Sequence, residues 1–174
     1  AGRTGTLFAY EQFDIKPDIM CCAKGIGGGI PIAAILTTTK IAQCMQLGSH
    51  GTTFGGNPIA CAVAEQVMTM LTKKTLLNGV KKKEKIFLKE LEGINKDFQC
   101  FSAIRSSGLW IGCKLNVTEN FNLDTVMKAC YEKGLMILKA NDNTVRIAPS
   151  LIIEDDLILR GLKILRAVIQ EQHP

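Results

Sequence analysis

A single lysine, Lys24, closes the apolar run "DIMCCA" and is followed at once by Gly25, Gly27, Gly28 and Gly29. A lysine at the end of a buried strand is a candidate for desolvation, which disfavours the ammonium form and lowers its pKa. An amine brought to that condition attacks carbonyls and forms Schiff bases. Glycines beside it let a flat, bulky group approach the backbone closely. The plain alternative is a strand-end lysine that lays its stem on apolar surface and keeps its charge in water. A phosphate loop fits less well. The lysine precedes the glycines instead of following them, and the G-x-G-x-x-G spacing is absent before a helix.

Two other stretches carry chemical potential. In "HGTTFGGNP", residues 50–58, the hydroxyls of Thr52 and Thr53 precede a glycine pair and a helix start. Hydroxyls and free N–H groups at a helix N-terminus bind anions, and the same residues equally suit a capping segment. In "TVRIAPSL", Arg146 stands in an otherwise apolar strand. It must pair with an internal carboxylate or present its fork to a carboxylate ligand. Arg3 and Arg105 read as surface residues. The seven cysteines are irregularly spaced, with only His50 and His173 as companions, so no metal site is expected. Free thiols inside apolar segments point to a reducing compartment, the cytoplasm.

The elements that must position these residues follow from pattern. "DIMCCA" and "IAAILTT" read as two short buried strands flanking the glycine turn, and "KIAQCMQLG" as a short helix. Pro58 suits the first turn of a long, largely buried helix with Val63, Val67 and Leu71 recurring along it. Asn78-Gly79 is expected to break that helix. "VKKKEKIFLKELEGI" then resumes as an amphipathic helix with Ile86, Phe87, Leu91 and Ile94 on one side. Beyond residue 100, two strands surround the turn at Ser106-Ser107-Gly108. A helix follows, with Asp124 in its first turn and Gly134 as its stop. A hairpin turns at "NDNT", and a final helix is acidic at its start.

Composition narrows the classes further. With 47% hydrophobic and 21% charged residues over 174 positions, the chain is a folded globular protein, not a disordered one. No apolar run approaches the ~20 residues that span a bilayer, so no membrane segment is expected. No signal peptide is visible at the start. The net charge of +5 owes much to "KKKEK", a solvated helix face with little aromatic interleaving, so nucleic-acid binding is not expected.

In chain order, "GRTG", "LFAYE", "AKGIGGGIPIAAILTT", "HGTTFGGNPIACAVA" and "VRIAPSL" resemble the class III, ornithine-type, pyridoxal-phosphate aminotransferases, and among them the acetylornithine/succinylornithine aminotransferases. The resemblance implies an α/β fold of the aspartate-aminotransferase-like type I. Residues 1–78 would be the C-terminal part of the large cofactor domain, and 79–174 the small α+β domain. It implies pyridoxal 5'-phosphate as cofactor, with Lys24 as the lysine that binds it covalently. It assigns Thr53 to the cofactor phosphate of the partner subunit in a homodimer, Thr52 to the substrate, and Arg146 to a substrate carboxylate or an internal acidic partner. The activity implied is transfer of an amino group from N-acetylornithine or N-succinylornithine to 2-oxoglutarate. Ornithine and 4-aminobutyrate are the alternative donors. The family's Asp-Glu-x-Gln segment, whose aspartate meets the pyridinium nitrogen, lies upstream of the residues matched here. The chain is therefore expected to be a C-terminal portion, inactive by itself.

Overall fold

The computed structural model describes residues 1–172. Its contacts divide the chain into two units: Ala1–Gly2 with Thr6–Leu77, and Arg3–Gly5 with Asn78–Pro174.

In the first unit, β1 (Ile19–Ala23) and β2 (Ala33–Thr37) pair antiparallel, Ile19 opposite Thr37 and Ala23 opposite Ala33. They flank a short 3-10 turn, Lys24–Gly27. A four-residue helix, α1 (Thr39–Ala42), follows, and then α2 (Pro58–Leu71). Pro58 occupies the first turn of α2 as its fixed φ favours. The Asn57 side chain caps it, accepting from the Ala60 N–H at 2.9 Å. Gly28 is required by close approach as well as by its φ of 56°. A Cβ there would stand 2.9 Å from Val67 Cγ2 of α2.

The expected burial of this unit is not found. β1 and β2 are strands, but none of their residues is buried, and Ile35 is 64% exposed. Of α2 only Ala60 and Leu71 are buried. A two-stranded ribbon with one helix cannot cover a helix that is apolar around much of its circumference.

The second unit has a complete one-sided core. β3 (Phe101–Ser106), β4 (Ile111–Leu115), β5 (Leu138–Ala140) and β6 (Thr144–Ile147) form an antiparallel sheet in the order β3-β4-β6-β5. Ile111, Cys113 and Leu115 alternate inward along β4, and Val145, opposite Cys113, joins them. Three helices supply the rest of that core. From α3 (Lys74–Phe98) come Val80, Phe87, Leu91 and Ile94. From α4 (Leu123–Glu132) come Leu123, Val126 and Cys130. From α5 (Asp155–Gln172) come Ile158, Leu162, Leu165, Val168 and Ile169.

Local chemistry explains the boundaries. Asn122 caps α4, accepting from the N–H groups of Asp124 and Thr125 at 3.1 Å each. Asp142 and Asn143, with φ of 60° and 52°, make the tight turn between β5 and β6. The break expected at Asn78-Gly79 falls instead at Thr72 and Lys73, and α3 runs straight through Gly79. The buried stripe explains this: Val80, fully buried, extends the Phe87–Leu91–Ile94 face by two further turns. The helix cost of one glycine, about 1 kcal/mol, is smaller than that burial.

Residues 3–5 belong with this unit because a turn holds them. The Leu109 N–H donates to the Arg3 carbonyl at 2.9 Å. An Arg3 Nη1 donates to the carbonyls of Leu109 and Pro149 at 2.8 and 2.9 Å. Gly108, at φ 61°, permits the approach, since a Cβ there would lie 2.2 Å from the Arg3 carbonyl oxygen.

Gly108→Ala therefore combines left-handed strain with a backbone clash and should cost about 3 kcal/mol in urea unfolding. Gly79→Ala, in helix with only Lys83 Nζ at 3.6 Å, should instead add about 0.5–1 kcal/mol. Equal effects at the two sites would contradict this account.

Burial also pushes the Cys113 thiol up to about 12, with Cys100 adding to the effect, and the Cys100 and Cys130 thiols up to about 11. Unfolded thiols ionise near pH ~8.5, so above that pH the native state holds more protons and stability falls as pH rises. At pH 8 a thiol reagent should label exposed Cys21, Cys44 and Cys61 and spare the buried three until the unit unfolds.

Candidate functional site

Lys24 is placed by the end of a strand. β1 delivers the chain in extended form through Ala23, at φ −156°, and Lys24 itself turns left-handed at φ 55°. Among the described residues four other than glycine take a positive φ, and the remaining three lie in turns or just after a helix. A side chain in that region costs of order 1–2 kcal/mol, and such strain collects where geometry serves function. The lysine is exposed. The dry surroundings expected for it are thus not supplied by its own unit. What the unit supplies is room: no non-neighbouring atom lies within 4 Å of a Cβ built at Gly25 or Gly29.

Thr52 and Thr53 lie in the same unit, exposed, in the turn that precedes α2. Neither caps the helix, because Asn57 does, with its Nδ2 also donating to the Phe54 carbonyl at 3.1 Å. The Gly55 N–H donates to the Thr52 carbonyl at 3.1 Å, folding the turn. Both threonine hydroxyls are left without a hydrogen bond among the described residues, which suits an anion ligand better than a cap.

Arg146 lies in the other unit, on β6. Its neighbours in register are Gly112 on β4 and Leu138 on β5. Because Val145 points into the core, Arg146 takes the opposite face of the sheet. It lines an apolar cavity of about 270 Å³ as its one charged residue, beside Leu138, Ile147 and Pro149. Its Nε is buried and has no hydrogen-bond partner. No ion pair among the described residues includes it, so the internal acidic partner left open by the sequence is not present in residues 1–172.

Sequence reasoning set Arg3 and Arg105 aside as surface residues; Arg105 is exposed as expected, whereas Arg3 is not. Arg3 is half-buried, and its pKa is lowered, first by that burial and then by the positive charge of Arg146. Arg105 stands on β3 opposite Gly112, in the row that contains Arg146. Strand register is the signal that would have found it. Among the described residues there is no cluster of histidine, cysteine and carboxylates able to hold a metal, and no helix is long and apolar enough to cross a membrane.

With this geometry in place, comparison with known proteins is direct. The model of the family described as aminotransferase class-III matches residues 1–169. Acetylornithine/succinyldiaminopimelate aminotransferase of Buchnera aphidicola is 47% identical over 162 residues, covering 93% of this chain and 40% of that protein. Succinylornithine transaminase of Yersinia pseudotuberculosis is 46% identical over 170 residues, covering 98% of this chain and 41% of its own length. In three dimensions, N-acetylornithine aminotransferase of Stenotrophomonas maltophilia superposes with a TM-score of 0.83 at 36% identity. It is matched over 98% of this chain and 44% of its own. Acetylornithine aminotransferase of Elizabethkingia anophelis gives 0.89 at 32%, over 98% and 43%. The chain spans about 40% of the length of the curated relatives it matches. Its α/β architecture is the C-terminal part of the fold those enzymes share, and the chain belongs to the class-III aminotransferases.

Proposed function

We propose that the complete enzyme transfers the amino group of an N-acylornithine, N-acetylornithine or N-succinylornithine, to 2-oxoglutarate, giving the semialdehyde and glutamate. It uses pyridoxal 5'-phosphate and works in the cytoplasm as a homodimer whose active sites are shared across subunits. Relatives named acetylornithine/succinyldiaminopimelate aminotransferase and succinylornithine transaminase, at 46–47% identity, support that substrate class. Activity belongs to the complete enzyme, because the present chain spans only about 40% of those relatives. Residues 1–78 serve as the C-terminal part of the cofactor domain and 79–174 as the small domain.

The observation that carries this reading is Lys24: an exposed primary amine on a left-handed backbone, with open space at Gly25 and Gly29. Those residues fit a flat aldehyde cofactor attached at the lysine Nζ. When bound, pyridoxal phosphate supplies an electron sink that stabilises negative charge at the substrate carbon. The chain's own residues do the rest. Lys24 Nζ would hold the cofactor and, as a free amine, would take the proton from the substrate carbon and return it as a general acid. The Thr53 hydroxyl holds the cofactor phosphate of the partner subunit, and Thr52 touches the substrate. The Arg146 fork takes a substrate carboxylate, a pairing its unpartnered Nε leaves available.

Borohydride reduction of the complete enzyme, followed by peptide mapping, should place the cofactor label on Lys24. Lys24→Ala should lose the label and at least ~10³-fold in turnover across a panel of N-acetylornithine, N-succinylornithine, ornithine and 4-aminobutyrate. Label on another lysine would end the assignment. The strain makes a second, opposite expectation. In the cofactor-free protein, Lys24→Gly should raise stability by about 0.5–1 kcal/mol and the β-branched Lys24→Val should lower it, as read from urea midpoints.

A further inference from the structure

Two carbonyls of the second unit lie at loop positions, where no strand ladder serves them. Leu109 belongs to the turn between β3 and β4, and Pro149 follows the end of β6. Backbone oxygens in such places take their donors from side chains or water. These two share one: Arg3 Nη1 donates to Leu109 at 2.8 Å and to Pro149 at 2.9 Å. The two hydrogens of a guanidinium nitrogen lie in a fixed plane, so both oxygens are held at a set separation. β4 and β6 pair at this end, Ile111 opposite Ile147, and the bridge therefore crosses the end of their ladder.

Residues 3–5 are docked here by more than one side chain. The Leu109 N–H returns a bond to the Arg3 carbonyl at 2.9 Å. A Cβ at Gly108 would stand 2.2 Å from that carbonyl oxygen, and one at Gly5 would stand 2.6 Å from Lys81 Cγ. The loop is closed at its base, where the Gly2 N–H donates to the Leu7 carbonyl at 2.8 Å. A compact surface loop with its ends tied is a unit that opens and closes locally. Its hold on the sheet has no counter-charge. No ion pair among the described residues includes Arg3, and Arg146 lies close enough to act on it as a like charge. A guanidinium kept by neutral oxygens beside another cation is held less firmly than one closed on a carboxylate.

We propose that the Leu109 and Pro149 carbonyls form a guanidinium seat which Arg3 fills as a strap. Closed, the strap locks the β4–β6 end of the sheet; open, it leaves a site for a free alkylguanidinium. The seat selects by shape and donor number. A planar cation with two hydrogens on one nitrogen reaches both oxygens, and an anion is repelled by them. The inference stands apart from the amino-transfer reading, since it needs neither Lys24 nor a substrate.

Hydrogen exchange of the complete enzyme, read at the Leu109 amide, tests the strap. Arg3→Ala should speed Leu109 exchange about thirtyfold and change the α5 amides less than about threefold. Ethylguanidinium carries the atoms that this substitution removes. At ~50 mM it should slow Leu109 exchange in Arg3→Ala at least about threefold and saturably, whereas ethylammonium, of equal charge, should not. Rescue by both ions alike, or by neither, overturns the seat. Equal acceleration at Leu109 and throughout α5 overturns the strap as an element that opens on its own. Should Arg3→Ala not fold, Arg3→Lys decides. It keeps the charge without the planar fork, so Leu109 exchange should rise about fivefold, and a rate unchanged from wild type overturns the proposal.

Discussion

Burial of Val145 is the constraint on which the arginine face depends. In a strand the side chains alternate, so fixing Val145 and Cys113 in the core leaves Arg146 and Gly112 no choice of face. A shift of one residue in register would turn the apolar set to water and a guanidinium into the core. Either change costs several kcal/mol, the first as lost apolar burial and the second as an unpaired buried charge. The helices α3, α4 and α5, by filling one side of the sheet, hold that register. The basic side is thus a consequence of the hydrophobic side.

The first unit is organised on the opposite principle. It holds little core of its own, and its informative feature is backbone conformation. β1 and β2 bracket a turn in which a lysine, not a glycine, takes a left-handed φ, although glycines stand at the next available positions. A glycine at position 24 would be easier to accommodate there. The amine is kept at a conformational cost, and Gly28, packed against Val67, fixes the turn beneath it. Strain of this kind persists only where the surrounding chain over-determines the backbone.

Element type was legible in the sequence wherever a local rule had no rival. The hairpin at Asp142-Asn143, the helix with Asp124 in its first turn, Pro58 at the start of α2 and the antiparallel pair around Gly108 all follow from residues within a few positions of each other. The rule failed at Gly79, where a local breaker competed with a stripe of buried residues extending from Val80 to Ile94 and lost. Burial of β1, β2 and α2 was misjudged for a different reason. An apolar pattern states what a segment requires of its surroundings, and residues 1–172 do not provide those surroundings. The candidate lysine and the two threonines were visible as motifs, but Lys24's left-handed backbone was not, since φ for a non-glycine residue is decided by the chain on both sides.

Arg105 shows what a linear reading leaves out. Beside Ser106 and Ser107 it is one more polar residue near a turn, and its immediate neighbours give it no role. Its meaning comes from Gly112 and Arg146, which stand 7 and 41 residues further on and join it only through two strand pairings. Pairing converts three unremarkable letters into two cations on either side of a gap. Arg3 enters the same neighbourhood from more than 100 residues away, held by the carbonyls of Leu109 in the β3–β4 turn and of Pro149 just after β6. This neighbourhood is therefore assembled from contacts distant in sequence, the kind that periodicity cannot reveal.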